Sequence, residues 1–343
     1  MNGSSLAPPL ARVRPTRVAA QADFRLTAAL AGFAGVACLL AGSLPIGVSI
    51  VTVFLFAAPH NLFEARYMLA RLPGRFGPLA GYFATGAAGV LLLVAGFTLL
   101  PWLASWKDWG RDEWLLGAAT WNTALALWIM LLCELRSRQR PVRDLRWVHP
   151  LGFLAIAGTW LWPQAWDLAL VYLHPLVALW FLDRELGRNR AAWRGAYRRA
   201  LALLPLLLAV LWLQLWDSPS LAGLDALTVR ITNHAGADVL DNVSSHLLVA
   251  THVFLETLHY GVWLVAIPLV SFRTSPWDVA QVPLARRSLG WRRGLLIVLA
   301  CTALVVVLFW AGFLADYPLT RDVYFTLAMV HVLAELPMLL RLL

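Results

Sequence analysis

Apolar residues in this chain fall into long uninterrupted runs separated by short polar stretches, not into the alternation expected of strands. A helix needs roughly 20 apolar residues to cross a bilayer. Runs of about that length lie at 26–42, 45–64, 78–104, 114–135, 148–163, 166–183, 200–216, 246–270, 294–315 and 322–342. The pattern predicts an all-α fold, a polytopic transmembrane helical bundle of about ten spans, with the first and fifth the shortest. Residues 1–24 hold no apolar core of signal-peptide type and predict a disordered, basic cytoplasmic tail. Residues 25–343 read as a single transmembrane helical domain. Its longest polar stretch, 217–245, is the outer segment, and the amphipathic patch 221–231 within it predicts an interfacial helix.

Composition strengthens this reading. The 343 residues are 60% hydrophobic with a mean hydropathy of +0.68, against roughly 45–50% apolar in soluble domains. A net charge of +9 and a pI near 10.2 would suit nucleic acid, but the distribution of arginine excludes it as a partner. Of the 28 basic residues, all but Lys107, Arg111, Arg230 and Arg321 fall in alternate connections if the spans succeed one another across the bilayer. That is the positive-inside pattern. It predicts an even number of spans, cytoplasmic N- and C-termini, and a bacterial-type inner (plasma) membrane. Several of the 18 Trp, such as Trp102, Trp106, Trp147, Trp162 and Trp216, fall near expected interfaces. Cys38, Cys133 and Cys301 have no paired or metal-ligand spacing and read as packing residues.

Histidine carries the candidate chemistry. His60, His174, His252, His259 and His331 lie inside apolar runs, and Glu64, Glu256 and Glu335 follow three of them at four-residue spacing. An ionisable group near the bilayer centre costs at least about 2.5–3.5 kcal/mol, so such groups face one another or a cavity. Counted from the outer end of each span, His174, His259, His331 and His60 fall about eight, thirteen, nine and fifteen residues in, at 1.5 Å per residue. All four lie in the middle or inner half of the membrane. His252, Glu256 and His259 share one helical face.

Imidazole with carboxylate suits iron, zinc, manganese or copper, and an open position on a His-rich Fe(II) site is where oxygen chemistry occurs. The expected metal ligands are His60, His174, His252, His259, His331 and Glu335, with Glu64 and Glu256 as the catalytic or ring-orienting carboxylates. Iron is the expected metal, and paired histidines leave haem open as its form. The substrate is a lipid-soluble small molecule that enters from the membrane lipid, since the outer connections are short. His149 reads as an interface residue, and Asp183 and Glu185 as salt-bridge partners of the inner arginines. Asn61 and Arg66 read as head-group contacts or snorkelling side chains. His234 and His246 read as solvated, with Asp238 and Asp241 offering an alternative outer metal site.

The run Pro59-His60-Asn61-Leu62-Phe63-Glu64 resembles the Pro-His-Gly-x-x-Asp element of the Brp/Blh family, membrane carotene-cleaving dioxygenases. It differs at two positions, Asn61 for Gly and Glu64 for Asp, and covers about six residues. The family's closely spaced late histidine pair has no counterpart, since His252 and His259 are seven apart. The resemblance implies a polytopic helical protein with a non-haem iron, His60 as a ligand, and His259 and His331 as candidates for the others.

Three functions follow. The first is a metal-dependent membrane oxidoreductase acting on a lipid-soluble substrate. The second is a proton-coupled transporter using the same His and Glu layer, with Pro59, Pro175 and Pro268 as helix breaks. The third is a non-catalytic subunit of a membrane complex. A homo-oligomer fits any of them.

Overall fold

The computed structural model describes residues 17–139, 147–221, 225–271 and 278–342. Among these residues the chain is helical throughout, with no strand. Eleven helices follow in order: α1 (Arg17–Ser43), α2 (Pro45–Arg71), α3 (Gly77–Trp106), α4 (Arg111–Gln139), α5 (Val148–Leu161), α6 (Pro163–Asn189), α7 (Ala191–Leu215), α8 (Ala226–His234), α9 (Ser245–Ser271), α10 (Leu289–Ala315) and α11 (Tyr317–Leu342). Nine of the described helices, all except α5 and α8, are long and apolar enough to cross a membrane. Helix α5 has 14 residues, about 21 Å at 1.5 Å per residue, which is short of the ~30 Å hydrocarbon core.

The basic tail read at 1–24 lies outside the described residues as far as residue 16, and α1 begins at Arg17. The outer segment is helical at Ala226–His234. Asp225 caps it, accepting the Thr228 amide at 2.8 Å. Of the interfacial helix expected at 221–231, the helical part is Ala226–His234, and residues 222–224 lie outside the described residues.

Helix α9 is the axis of the bundle and the most deeply buried of the nine. Its buried face (Val249, Val253, Phe254) packs on α1 and α7. Gly261 allows a close approach: a Cβ there would meet the Phe33 ring of α1 at 2.6 Å. Helices α2 and α6 flank α9 on its other sides, and α11 packs on α2, α3, α4 and α10. Two of these helices change pitch beside a proline. Val53–Ala57 in α2 and Val262–Ala266 in α9 are π-helical. A proline lacks an N–H and its ring crowds the carbonyl four residues back, and a π-turn relieves that crowding without ending the helix. Pro59 and Pro268 are the prolines concerned.

At the arginine-rich face, Glu185 of α6 is fully buried and ties three helices together. It accepts from Tyr67 (2.9 Å) and Arg71 of α2, Ser271 of α9 (2.8 Å) and Asn189 (3.0 Å). Asp183 pairs with Arg194 and Arg198 at the start of α7. The salt-bridging expected of Asp183 and Glu185 is thus present, and it fixes the ends of α2, α6 and α9 relative to one another.

Candidate metal centre

Helices α2, α6, α9 and α11 each direct a histidine to one point in the bundle. The rings of His60 and His259 lie 5.1 Å apart, His259 and His174 4.7 Å, His174 and His331 5.1 Å, and His331 and His60 5.0 Å. The four form a closed quadrilateral. Among the described residues, one ligand atom from each of His60, Glu64, His259 and His331 lies within 4.8 Å of the other three. His174 completes the ring of histidines, its Nε2 3.3 Å from Nε2 of His331. This is a ring-to-ring hydrogen-bond contact, of a length close to the roughly 3.4 Å between two nitrogens on one tetrahedral ion, and His174 lies outside the group of four whose ligand atoms fall within 4.8 Å of one another.

Local structure fixes the tautomer of one imidazole. The Nδ1 of His60 lies 3.2 Å from the Phe56 carbonyl, inside the π-helical turn. A carbonyl only accepts, so Nδ1 carries the proton and Nε2 presents a lone pair. That Nε2 is buried without a hydrogen-bond partner. The Nδ1 of His174 lies 3.1 Å from Oε2 of Glu335, a charge contact in which neither Glu335 oxygen has a hydrogen-bond partner, and its Nε2 faces His331. A carboxylate or carbonyl behind each ring is the usual support of a metal-binding histidine.

The carboxylates sharpen the point. Glu64 and Glu335 are each 1% exposed and lie within electrostatic reach of one another. Neither oxygen of Glu64 has a hydrogen-bond partner, and Nδ1 of His331 lacks one too. With His60 Nε2 that makes four orphaned atoms at about 1–3 kcal/mol each, comparable to the ~5–15 kcal/mol by which proteins are stable at all. A divalent cation among three or four nitrogens and a carboxylate oxygen would remove the penalty. The donor set fits iron, zinc or manganese.

Comparison with protein-family models, with curated proteins and with solved structures finds no match.

The four histidines close one end of a cavity of about 300 Å³. Helices α6 and α11 stand apart here, and the space between them is walled by Phe97 of α3, Trp121 of α4, Leu170 and Val171 of α6, and Phe325 and Met329 of α11. His174 and His331 are half-buried at this wall, whereas His60 and His259 lie behind them and are buried. Asp167 is exposed at the margin, where Asn122 Nδ2 donates to it at 3.4 Å.

Not every expected site residue joins the cluster. His252 shares the face of His259, but seven residues at 1.5 Å put it about 10.5 Å further along α9, too far for one ion. It meets His234 instead, ring to ring at 5.1 Å. Glu256, one turn from His259, lines the cavity and accepts the Tyr260 hydroxyl at 2.6 Å, with its other oxygen unpartnered. His234, read as solvated, is the residue the sequence misplaced. It sits on α8, outside any apolar run, and only the packing of α8 over the bundle brings it into the cavity. Asp238 and Asp241 are exposed and do not join it. His246 Nε2 pairs with the Gly42 carbonyl at 2.9 Å, and His149 lies 3.6 Å from Glu134. Arg66 is buried and does not snorkel.

Proposed function

We propose that the protein is a membrane oxidoreductase in which His60, His174, His259, His331 and Glu64 hold one transition-metal ion, iron by preference. The carrying observation is the convergence of four imidazoles from four helices at the closed end of an apolar cavity within the membrane-spanning bundle. A structural histidine in a membrane helix needs one partner; this cluster leaves lone pairs and carboxylate oxygens facing each other.

Bound there, Fe(II) with a His-rich shell would supply oxygen chemistry at any position the protein leaves open. The chain's own residues do the rest. His60 is held in its metal-ready tautomer by the Phe56 carbonyl, and the Glu335 carboxylate lies 3.1 Å from Nδ1 of His174. Phe97, Trp121 and Met329 receive a lipid-soluble substrate and exclude water. Glu256, on the wall one turn from His259, is placed to accept or donate a proton beside the centre. The rings of the cluster are in mutual contact and leave no slot for a macrocycle, which favours non-haem iron over haem. The three histidines pointed to by the likeness to carotene dioxygenases, His60, His259 and His331, are all in the cluster.

Metal analysis of the full chain, purified in detergent without chelators, tests the proposal. It expects about one equivalent of a transition metal, lost in His60→Ala and His259→Ala. Less than about 0.2 equivalents, unchanged by either substitution, would overturn it.

The two π-helical segments favour a second reading, since transporters place irregular helix near the substrate site. A proton-coupled transporter would show flux into proteoliposomes that collapses with the proton gradient and falls in Glu256→Gln. Flux indifferent to that substitution excludes the reading.

A further inference from the structure

The end of the cavity away from the metal cluster has a chemistry of its own. His234 of α8 and His252 of α9 both line it, and Phe325 of α11 lies 4.1 Å from the His234 ring. Tyr172 contacts His252 from α6, 6.1 Å between rings. Below this pair the wall is mostly apolar down to His174 and His331, with Glu256, Thr326, the tyrosines Tyr260 and Tyr324 and, at the margin, Asp167 as its polar members. Two polar ends thus bound an apolar middle, about 10.5 Å apart along α9.

The charges around the upper end decide what it accepts. His234 lies outside the spans, and burial, with His252 and Arg321 nearby, holds its imidazole well below the usual histidine range. It is neutral, and a neutral imidazole both donates and accepts. Arg321 of α11, 3% exposed, lies against the Phe325 ring at 4.6 Å and within electrostatic reach of Glu256. Arg321 and Glu256 are thus placed close enough to offset each other's charge beside the cavity. An anionic ligand would meet Glu256 and, at the margin, Asp167; a cationic one would compete with Arg321 for Glu256. Either charge would also lose its hydration in an apolar cavity. An uncharged group with one hydrogen-bonding end meets none of these penalties.

We infer that His234 and His252 bind the hydroxyl or carbonyl terminus of a neutral, otherwise apolar molecule, whose far end reaches the four-histidine cluster. The inference deepens the proposed oxidoreductase by giving its substrate a class and an orientation, and rests on that reading only for the reaction, not for the binding. His234 and His252 are positioning residues in this scheme.

Photolabelling tests it without knowledge of the natural substrate. Decan-1-ol, decanoate, decylamine and decane, each with a diazirine at the end remote from the polar group, are irradiated with the full-length protein in nanodiscs, and the labelled peptides are mapped by mass spectrometry. The decanol probe is expected to label Leu170, Met329 or Val332, next to the metal cluster, with decanoate and decylamine giving little label there. His234→Leu with His252→Leu should cut decanol labelling about tenfold, the factor one lost hydrogen bond supplies. His234→Asn with His252→Gln should restore most of it. Decane labelling checks that each variant keeps its cavity, and the single Leu variants are read if the double one loses it. Labelling by decanoate or decylamine equal to that by decanol would overturn the inference, as would a Leu variant that labels like the parent. Metal content is measured on the same samples. Decanol labelling in protein that binds no metal sinks the oxidoreductase alone; metal-replete protein that ignores decanol sinks this inference alone.

Discussion

Glu64→Leu separates the stability of this bundle from its chemistry. Glu64 is 1% exposed, both its oxygens are without hydrogen-bond partners, and Glu335 adds like-charge repulsion when both are ionised. Leucine has a similar shape and nothing to desolvate. Two unpartnered oxygens at about 1–2 kcal/mol each give an expected stabilisation of about 2–4 kcal/mol for Glu64→Leu in chelator-treated protein. Iron reverses the comparison. At 100 times its dissociation constant, a ligand that binds only the folded state adds about 2.7 kcal/mol to the parent protein, and the variant, lacking a ligand, gains far less. The assay is denaturant unfolding in mixed micelles, followed by tryptophan fluorescence, with EDTA and with Fe(II) under argon. The account predicts a variant more stable than the parent in EDTA and a gap that narrows or inverts with iron. A variant less stable than the parent in EDTA would show that Glu64 has a structural partner and refute the reasoning.

Other perturbations have equally definite outcomes. Glu335→Gln leaves the histidines in place but removes the carboxylate charge beside His174, so metal affinity should fall about 10–100-fold, read by competition with a chromogenic chelator; unchanged affinity would remove Glu335 from the site. Glu185→Ala breaks the buried hub of Tyr67, Arg71, Asn189 and Ser271 and should destabilise the protein by about 3–5 kcal/mol, seen in the same unfolding assay, without altering metal stoichiometry in the folded fraction. The Asp225 carboxyl is held below its usual 3.8 by the Thr228 amide and hydroxyl. A depressed carboxylate stabilises the fold above its unfolded pKa and loses that contribution as pH falls through the folded value. Helix α8 should therefore fray first as pH drops below about 3.8, detected as faster hydrogen exchange at 226–234, and Asp225→Asn should flatten that dependence.

Much of the architecture is legible in the sequence because the bilayer permits so few structures. Runs of apolar residues give the spans to within about nine residues at either end, and the weakness of the run at 148–163 reflects a helix that is short in fact. The differences have local causes. The stretch 45–64 continues to Arg71 because Tyr67 and Arg71 are bound to Glu185, an interaction across more than a hundred residues that no local pattern encodes. The start of α7 carries arginines that resemble a loop until Asp183 pairs with Arg194 and Arg198. At the site, similar depth identified His60, His174, His259 and His331, and the structure places these four together. Helical phase put His252 on their face, but phase ignores rise along the axis, and rise is what separates His252 from the cluster. His234 had no signal, because its place depends on how α8 folds over the bundle.

X-ray absorption at the metal edge of the reconstituted full-length protein tests the central claim most directly. Convergence of His60, His174, His259 and His331 predicts a first shell of three or four imidazole nitrogens near 2.0–2.2 Å, with the multiple-scattering signature of histidine rings reduced in proportion by each His→Ala substitution. A shell of oxygens alone, or an imidazole number indifferent to these substitutions, would show that the four rings meet for some reason other than a shared ion.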